Sequence, residues 1–176
     1  MDLIELLKRQ ERLREDYWKN VDYFLPVRLK WRAQMVRHLF HLLPENSLLD
    51  LGSGSCQWTR EISAANGNRN PICAAIFNKE MYEGNQHGSF PENIERIHLD
   101  NFSEKLSERR FDFIVGYQLL TDENAGMLFS ELKGLLKPGG QILLFDPNPW
   151  NPYHKVKRLF SKLFFFFKRA QKEQHF

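Results

Sequence analysis

The stretch SLLDLGSGSCQWTREIS, residues 47–63, constrains the fold more than any other part of the chain. An apolar run ends at Asp50, Gly52 and Gly54 follow, and an amphipathic stretch begins after them. This pattern predicts a short buried strand, a tight turn and a helix, because glycine lets the backbone turn sharply and lets a ligand approach closely. In a doubly wound sheet, such a turn lies at the carboxyl ends of the strands, where ligands bind.

Strand and helix patterns alternate after this turn. Four further apolar runs predict strands, and the amphipathic segments between them predict helices. The four runs are PICAAIF, IERIHLD, FDFIVGYQLL and GGQILLFD. Because alternating strands and helices form right-handed crossovers, we expect an α/β fold: a Rossmann-like, doubly wound, mostly parallel sheet with helices on both faces.

Two helices are predicted before the first strand, over residues 2–19 and 27–43, with Pro26 breaking the pattern between them. We expect this helical pair, residues 1–43, to form an N-terminal lid over the ligand site. In the first helix Leu3, Leu6, Leu7, Leu13 and Tyr17 recur near helical spacing, and in the second Leu29, Val36, Leu39, Phe40 and Leu43 lie on one side. In the last helix we expect Met127, Leu128, Leu132 and Leu135 to face inward. The aromatic residues expected near the entrance are Tyr17, Trp18, Tyr23 and Phe24.

The glycine loop excludes two common nucleotide sites. A dinucleotide fingerprint needs a third glycine, which is absent after Gly54, and a P-loop needs a lysine that does not follow here. Asp50 stands just before the glycines, where it would repel a pyrophosphate. A cationic or polar ligand therefore suits the loop better.

Two segments together resemble class I S-adenosylmethionine-dependent methyltransferases. LLDLGSGSCQW resembles the first motif of that family, and FDFIVGYQLL…LFSELKGLLKPGGQILLFDP resembles its fourth and fifth strands with the helix between them. The resemblance covers roughly residues 47–150. It implies a sheet in the order 3-2-1-4-5, S-adenosylmethionine as cofactor, and methyl transfer to a small-molecule or lipid acceptor.

The resemblance assigns the glycine loop to the methionine part of the cofactor. Gly52, Gly54 and the backbone of Ser53 would approach it closely, and Asp50 would engage its amino group directly or through water.

The ends of the third and fourth strands take the remaining roles that the resemblance implies. Asp100 would accept a hydrogen bond from the adenine amino group, with Asn101 and Phe102 flanking the ring. Tyr117 and Gln118 would lie close to the methyl group.

The sequence departs from the family pattern at three places. Ile76 stands where the family has an acid that binds both ribose hydroxyls, and Asn78 or Glu80 is the expected substitute. Cys56 replaces the third glycine of the family's loop, and Asp122 aligns with a frequent histidine. The chain also lacks the family's closing pair of antiparallel strands. Two alternatives therefore stand beside the enzyme: a non-catalytic binding or scaffold module, and a fragment of a larger methyltransferase.

The segment DPNPWNPYHK, residues 146–155, is expected to be extended or turning because of its three prolines. We expect it to form one wall of the acceptor pocket through Trp150, Asn151 and Tyr153. A general base is optional for methyl transfer, and Tyr117 and His154 are the candidates. With this segment, the cofactor-binding α/β domain is expected to span residues 44–154.

Residues 155–176 form a basic tail with seven Lys or Arg and one acidic residue. Its segment 155–172 also contains Phe164 to Phe167, a composition that suits packing on the domain, peripheral contact with a membrane, or docking on an acidic protein. No motif for specific nucleic-acid binding accompanies the basic ends.

The two cysteines and six histidines form no pattern typical of a disulfide framework or a metal site, so we expect neither. The chain begins without a secretory apolar core, and no apolar run reaches the length of a membrane span. We therefore expect a cytoplasmic protein, with the tail as a possible peripheral membrane contact.

Overall fold

A computed structural model describes residues 2–20, 23–84 and 89–146, and nearly all of them belong to one unit that ends at Phe145. Five parallel strands form a sheet in the order β3-β2-β1-β4-β5. The strands are β1 Leu48–Leu51, β2 Ile72–Ile76, β3 Ile94–His98, β4 Phe111–Tyr117 and β5 Leu136–Phe145. The predicted α/β class and the strand order are confirmed.

Two helices precede the sheet and four lie between its strands. Their bounds are α1 Leu3–Asn20, α2 Leu25–Phe40, α3 Gln57–Ala65, α4 Lys79–Gly84, α5 Phe102–Lys105 and α6 Ala125–Gly134. Within the described ranges, no helix combines the length and the apolar character that a membrane span requires.

The central strands are buried on both faces, and successive side chains alternate between two cores. Leu49 of β1 packs in a first core together with Leu128 and Leu132 of α6. Leu48, its neighbour, packs in a second core with residues of α2 and α3 such as Val36. This two-residue period is the geometry of an extended strand, and it explains why the strands are apolar almost throughout.

Helix α1 belongs to both cores. Leu3, Ile4 and Leu7 pack in the first core, whereas Trp18 packs in the second. Because the two cores lie on opposite faces of the sheet, α1 crosses from one face to the other. Its middle turns contact the loops that follow β1 and β2, so the crossing lies over the carboxyl ends of these strands.

The boundary of the second helix differs from the prediction. Helix α2 starts at Leu25, and Pro26 lies in its first turn instead of breaking it. Proline is tolerated there because the first helical N–H groups have no intrahelical partner. The helix ends at Phe40 before His41, which adopts a left-handed conformation with φ of 47°.

Five residues that the helical patterns singled out are exposed, and one of them, Met127, was expected to face inward, so that prediction was wrong. They are Leu13, Tyr17, Leu39, Leu43 and Met127. In α1 the buried face passes through Glu11, Arg14 and Glu15, which a search for apolar residues alone assigns to solvent. Leu128, Leu132 and Leu135 are buried as expected.

The connection from β4 to α6 depends on the buried side chain of Asn124. Its Oδ1 accepts a hydrogen bond from the Thr121 N–H at 2.9 Å, and its Nδ2 donates to the Leu119 carbonyl at 2.8 Å. We predict that Asn124→Ala lowers the free energy of unfolding by about 2 kcal/mol, because two buried backbone groups lose their partners. Denaturant unfolding measures the change.

The matched control is Asn20→Ala, because Asn20 is exposed and donates a single hydrogen bond to the Asp16 carbonyl. Its effect should stay within about 0.5 kcal/mol. Equal losses in the two variants would contradict the role given to Asn124.

Candidate functional site

The loop between β1 and α3 has the conformation that its glycines suggest. Gly52 and Gly54 have φ angles of 67° and 51°, in the left-handed region that side chains rarely adopt. A Cβ on Gly52 would lie 2.8 Å from Leu119 Cδ2, whereas one on Gly54 would collide with the Glu15 carboxylate of α1. Gly52 therefore packs against Leu119, and Gly54 faces α1.

Ser53 fixes the loop to the sheet, and Cys56 closes a turn within the loop. The Ser53 N–H donates to the Ala75 carbonyl of β2 at 2.9 Å, and its hydroxyl donates to the same oxygen at 3.3 Å. The Cys56 N–H donates to the Ser53 carbonyl, and Cys56 has a φ of 57° at the position of the family's third glycine. The backbone N–H of Ser53 is thus engaged in a hydrogen bond to the sheet.

Asp50 lies at the carboxyl end of β1 and is almost fully buried. It accepts a hydrogen bond from Thr59 Oγ1 at 2.5 Å. Burial raises the pKa of Asp50 to about 7, although the Thr59 hydrogen bond and the charge of Arg14 lower it; the charges of Glu11 and Glu15 raise it further. Asp50 therefore changes its charge near neutral pH.

Glu11 of α1 is fully buried and reaches the loops after β1 and β2. Its Oε1 accepts from the Gly54 N–H at 3.0 Å and the Phe77 N–H at 3.3 Å. Its Oε2 accepts from the Phe77 N–H at 3.2 Å, the Asn78 N–H at 2.8 Å and Asn78 Nδ2 at 2.6 Å. Four N–H groups therefore converge on one carboxylate.

Arg14 and Glu15 continue this buried polar cluster. Arg14 donates through Nη1 to the Tyr117 carbonyl at 3.0 Å and through Nη2 to Glu15 Oε1 at 2.9 Å. The Ser55 N–H donates to the same Glu15 oxygen at 3.3 Å. Among the described residues, Arg14 Nε and Glu15 Oε2 are buried without a hydrogen-bond partner.

Aromatic rings surround the end of β4. The Tyr117 ring stacks on Trp18 of α1 with centroids 5.4 Å apart and lies 5.9 Å from the ring of Trp58. The Arg32 guanidinium lies 4.3 Å from the centroid of Tyr117. Burial raises the pKa of Tyr117, outweighing the opposing charges of the nearby arginines, so its hydroxyl stays protonated at neutral pH.

The end of β2 carries no carboxylate of its own. Ile76 is buried in the second core. Asn78, the expected substitute, donates from Nδ2 to Glu11 and to the Lys8 carbonyl at 3.1 Å. Glu80 is exposed and lies 3.6 Å from the Arg12 guanidinium.

The residues after β3 differ in exposure. Asp100 is exposed, with its carboxylate 3.8 Å from His98 Nδ1, and Asn101 is exposed as well. Phe102 is buried, and its ring centroid lies 6.2 Å from that of Phe77.

Gln118 follows β4 with a φ of 53°. Its N–H donates to the Phe145 carbonyl at 2.8 Å. Such a conformation is strained for a residue with a side chain, and strain of this kind is common at functional sites. The expected pocket wall with Trp150, Asn151 and Tyr153, the candidate base His154 and the tail lie outside the described residues.

The cysteines do not supply a nucleophile. Both are buried and free, and burial raises the pKa of Cys56 to about 11 and that of Cys73 to about 12. Both thiols therefore remain protonated at neutral pH. In the described part of the chain, no three histidine, cysteine or acidic side chains come together as a metal site.

The sequence interpretation missed the inward charges of α1. Glu11, Arg14, Glu15 and Trp18 stand at positions i, i+3, i+4 and i+7 and continue the buried stripe that begins at Leu3. This spacing was a signal for one buried helical face. It went unused because charged residues are usually solvated.

The strand order and the glycine loop at the carboxyl end of β1 define a Rossmann-like methyltransferase fold. A methyltransferase from Aquifex aeolicus described as S-adenosylmethionine-dependent superposes with a TM-score of 0.53 and 20% identity over 83% of this chain and 73% of its own. A Leishmania major protein of the same description superposes with a TM-score of 0.55 and 17% identity over 81% and 58%. At such identities the likeness concerns the fold.

The model of the ubiE/COQ5 methyltransferase family matches residues 13–167, and the chain belongs to this family. Demethylmenaquinone methyltransferase of Staphylococcus saprophyticus is 26% identical over an alignment of 146 residues, which covers 76% of this chain and 62% of the relative. The Staphylococcus aureus enzyme of the same name is 27% identical over 76% of this chain and 60% of its own length. The chain thus spans about three fifths of these relatives.

The pKa of Asp50 leads to a prediction on stability. The folded-state pKa of about 7 exceeds the ordinary aspartate pKa of 3.8, so between these values the folded protein retains a proton that the unfolded chain releases. The stability of the wild type should therefore fall as pH rises. Relative to Asp50→Asn, we expect a loss on the order of 3 kcal/mol between about pH 4 and pH 8.

Denaturant unfolding at several pH values measures this difference. Asp16→Asn on the exposed side of α1 makes the same chemical change and should run parallel to the wild type. If the free energies of unfolding of Asp50→Asn and of the wild type changed in parallel with pH, Asp50 would already be ionised in the folded protein at low pH.

Proposed function

We propose that this chain binds S-adenosylmethionine and transfers its methyl group to a small aromatic or lipid acceptor of the quinone class. The observation that carries the proposal is the Asp50–Gly54 turn, in which a buried carboxylate and two glycines with positive φ lie at the carboxyl end of the central strand. Membership of the ubiE/COQ5 family supports the reaction, and the names of the Staphylococcus relatives support the acceptor class.

The N–H groups beside the turn fit the amino-acid part of such a cofactor. The N–H groups of Gly54 and Ser55 both point at carboxylates of α1 in this structure. Arg14 adds a guanidinium beside the same carboxylate that Ser55 contacts. Donors that hold the carboxylate of Glu15 here suit the carboxylate of a methionine moiety, and ionised Asp50 suits its ammonium group.

The ribose and adenine parts have a less complete set of partners. Ile76 offers no acceptor, so the amide of Asn78 is the polar side chain left at the end of β2. Asp100 and Asn101 are exposed after β3 and accessible to an adenine edge, while Phe102 supports the loop from below. We therefore propose that the cofactor-binding residues expected from the sequence form this site.

The sulfonium of the cofactor supplies an electrophilic methyl group, and the protein's contribution is alignment in a dry pocket. The rings of Tyr117 and Trp58 offer flat apolar surfaces on which a planar acceptor stacks. Because burial raises the pKa of Tyr117, its hydroxyl donates a hydrogen bond to an acceptor oxygen instead of removing a proton. If the reaction requires a general base, His154 is the remaining candidate.

A non-catalytic binding module is the second candidate. The apolar Ile76 in place of a ribose-binding acid favours it, as does the engagement of the site's N–H groups by α1. Both candidate functions are compatible with peripheral contact to a membrane or a protein through residues 155–172. Light scattering with and without residues 155–176 tests whether the tail drives association of the chain.

Calorimetric titration with S-adenosylhomocysteine tests the cofactor. We predict binding in the micromolar range and none of NAD. Gly54→Val should abolish binding because a side chain at a φ of 51° strains the loop and fills its ligand face. Asp100→Ala should weaken binding about tenfold by removing one hydrogen-bond acceptor.

The control is Gly134→Ala, where a Cβ would meet no atom within 4 Å, and it should bind as the wild type does. Folding of each variant is checked by circular dichroism. Absence of binding at millimolar ligand in the folded wild type and in variants that release α1 would favour the non-catalytic module.

A further inference from the structure

The inward face of α1 occupies the cleft in which the proposed cofactor binds. Glu11 lies between the loops after β1 and β2, and Glu15 lies against Gly54 and Ser55. Both side chains are almost completely buried although both are acidic. Acidic side chains are rarely buried to this extent unless they are paired. Here the partners are N–H groups of the ligand-binding loops and, for Glu15, also the guanidinium of Arg14.

The contacts of Glu11 leave it no capacity for a ligand. Its Oε1 accepts two hydrogen bonds and its Oε2 accepts three. A carboxylate has about four lone-pair positions, so ribose hydroxyls find no acceptor on it. Glu11 therefore engages the N–H groups of Gly54, Phe77 and Asn78 and does not replace the missing acid of β2.

The same helix also covers the aromatic half of the cleft. Trp18 stacks on Tyr117 at 5.4 Å with an angle of 28° between the rings. A planar acceptor that stacks on this face of Tyr117 requires Trp18 to leave. One helix thus occupies the positions proposed for both ligands.

Two buried polar atoms of α1 remain without a hydrogen-bond partner among the described residues when the helix is docked in the cleft. Arg14 Nε and Glu15 Oε2 are buried, and the described part of the chain offers neither of them a hydrogen-bond partner. Buried charged groups with unpaired atoms oppose the docking that the apolar residues Leu3 and Leu7 favour. The balance between these contributions allows a ligand to shift the position of the helix.

We propose that α1 acts as an intramolecular competitor of the adenosyl-amino acid cofactor, so that the cofactor binds when Glu11, Glu15 and Trp18 leave the cleft. The inference rests on the proposed function, because it concerns the same site. The apparent affinity for cofactor is then reduced by the fraction of molecules in which α1 is docked. Any factor that holds α1 away from the cleft activates the protein.

Glu11→Gln in the full chain tests the competition. Glutamine keeps the size of the side chain, but its NH₂ group replaces one acceptor oxygen and faces N–H donors. We expect S-adenosylhomocysteine to bind about tenfold more tightly, because the docked state is less populated. We also expect faster hydrogen exchange in residues 3–20 of the variant, and in the wild type when ligand is added.

The matched control is Asp16→Asn, which makes the same change on the exposed side of the same helix. Its ligand affinity and the exchange of α1 should equal those of the wild type. The exchange measurement on ligand-free protein tests the docking of α1 independently of any binding activity.

Two results would overturn the proposal. Weaker ligand binding in Glu11→Gln, together with ligand-induced protection of α1, would make Glu11 a cofactor-binding residue and leave the proposed function intact. If Glu11→Gln releases α1 and the open cleft still does not bind the ligand, both the competition and the proposed function are wrong.

Discussion

The carboxylate of Glu11 connects three elements that are far apart in the sequence. It accepts hydrogen bonds from the loop after β1, through Gly54, and from the loop after β2, through Phe77 and Asn78, and it anchors α1 above both. A buried carboxylate is costly unless N–H groups replace its hydration. Here the ends of two parallel strands provide these groups, so the position of α1 follows from the sheet.

This constraint organises the other buried charges. With Glu11 fixed, the next helical turn brings Arg14 against the Tyr117 carbonyl and Glu15 against Ser55. Their charges act on Asp50, whose pKa burial raises to about 7: Arg14 lowers it, while Glu11 and Glu15 raise it. The charge of Asp50 is thereby linked to the position of α1.

The sheet and the glycine loop were predictable because their signals are local. A buried parallel strand needs a continuous apolar run, as in ICAAI of β2, and the turn after β1 needs the freedom of Gly52 and Gly54, whose φ angles are positive. The position of α1 was not predictable in the same way. Its buried acids depend on N–H groups more than forty residues away, and helix periodicity alone does not show them. Tyr17, which recurs at helical spacing with Leu13, is exposed because the charged stripe forms the buried face of α1.

The apolar Ile76, at the position proposed for a ribose-binding acid, is consistent with this arrangement. An acid at the end of β2 would lie close to Glu11, and two buried carboxylates would repel each other in a site of low dielectric constant. Ile76 in the second core avoids this repulsion and leaves the N–H groups of Phe77 and Asn78 to the acid on α1. The absence of a carboxylate at Ile76 and the burial of Glu11 are therefore compatible with the proposal that the N-terminal helix occupies the cleft until a ligand displaces it.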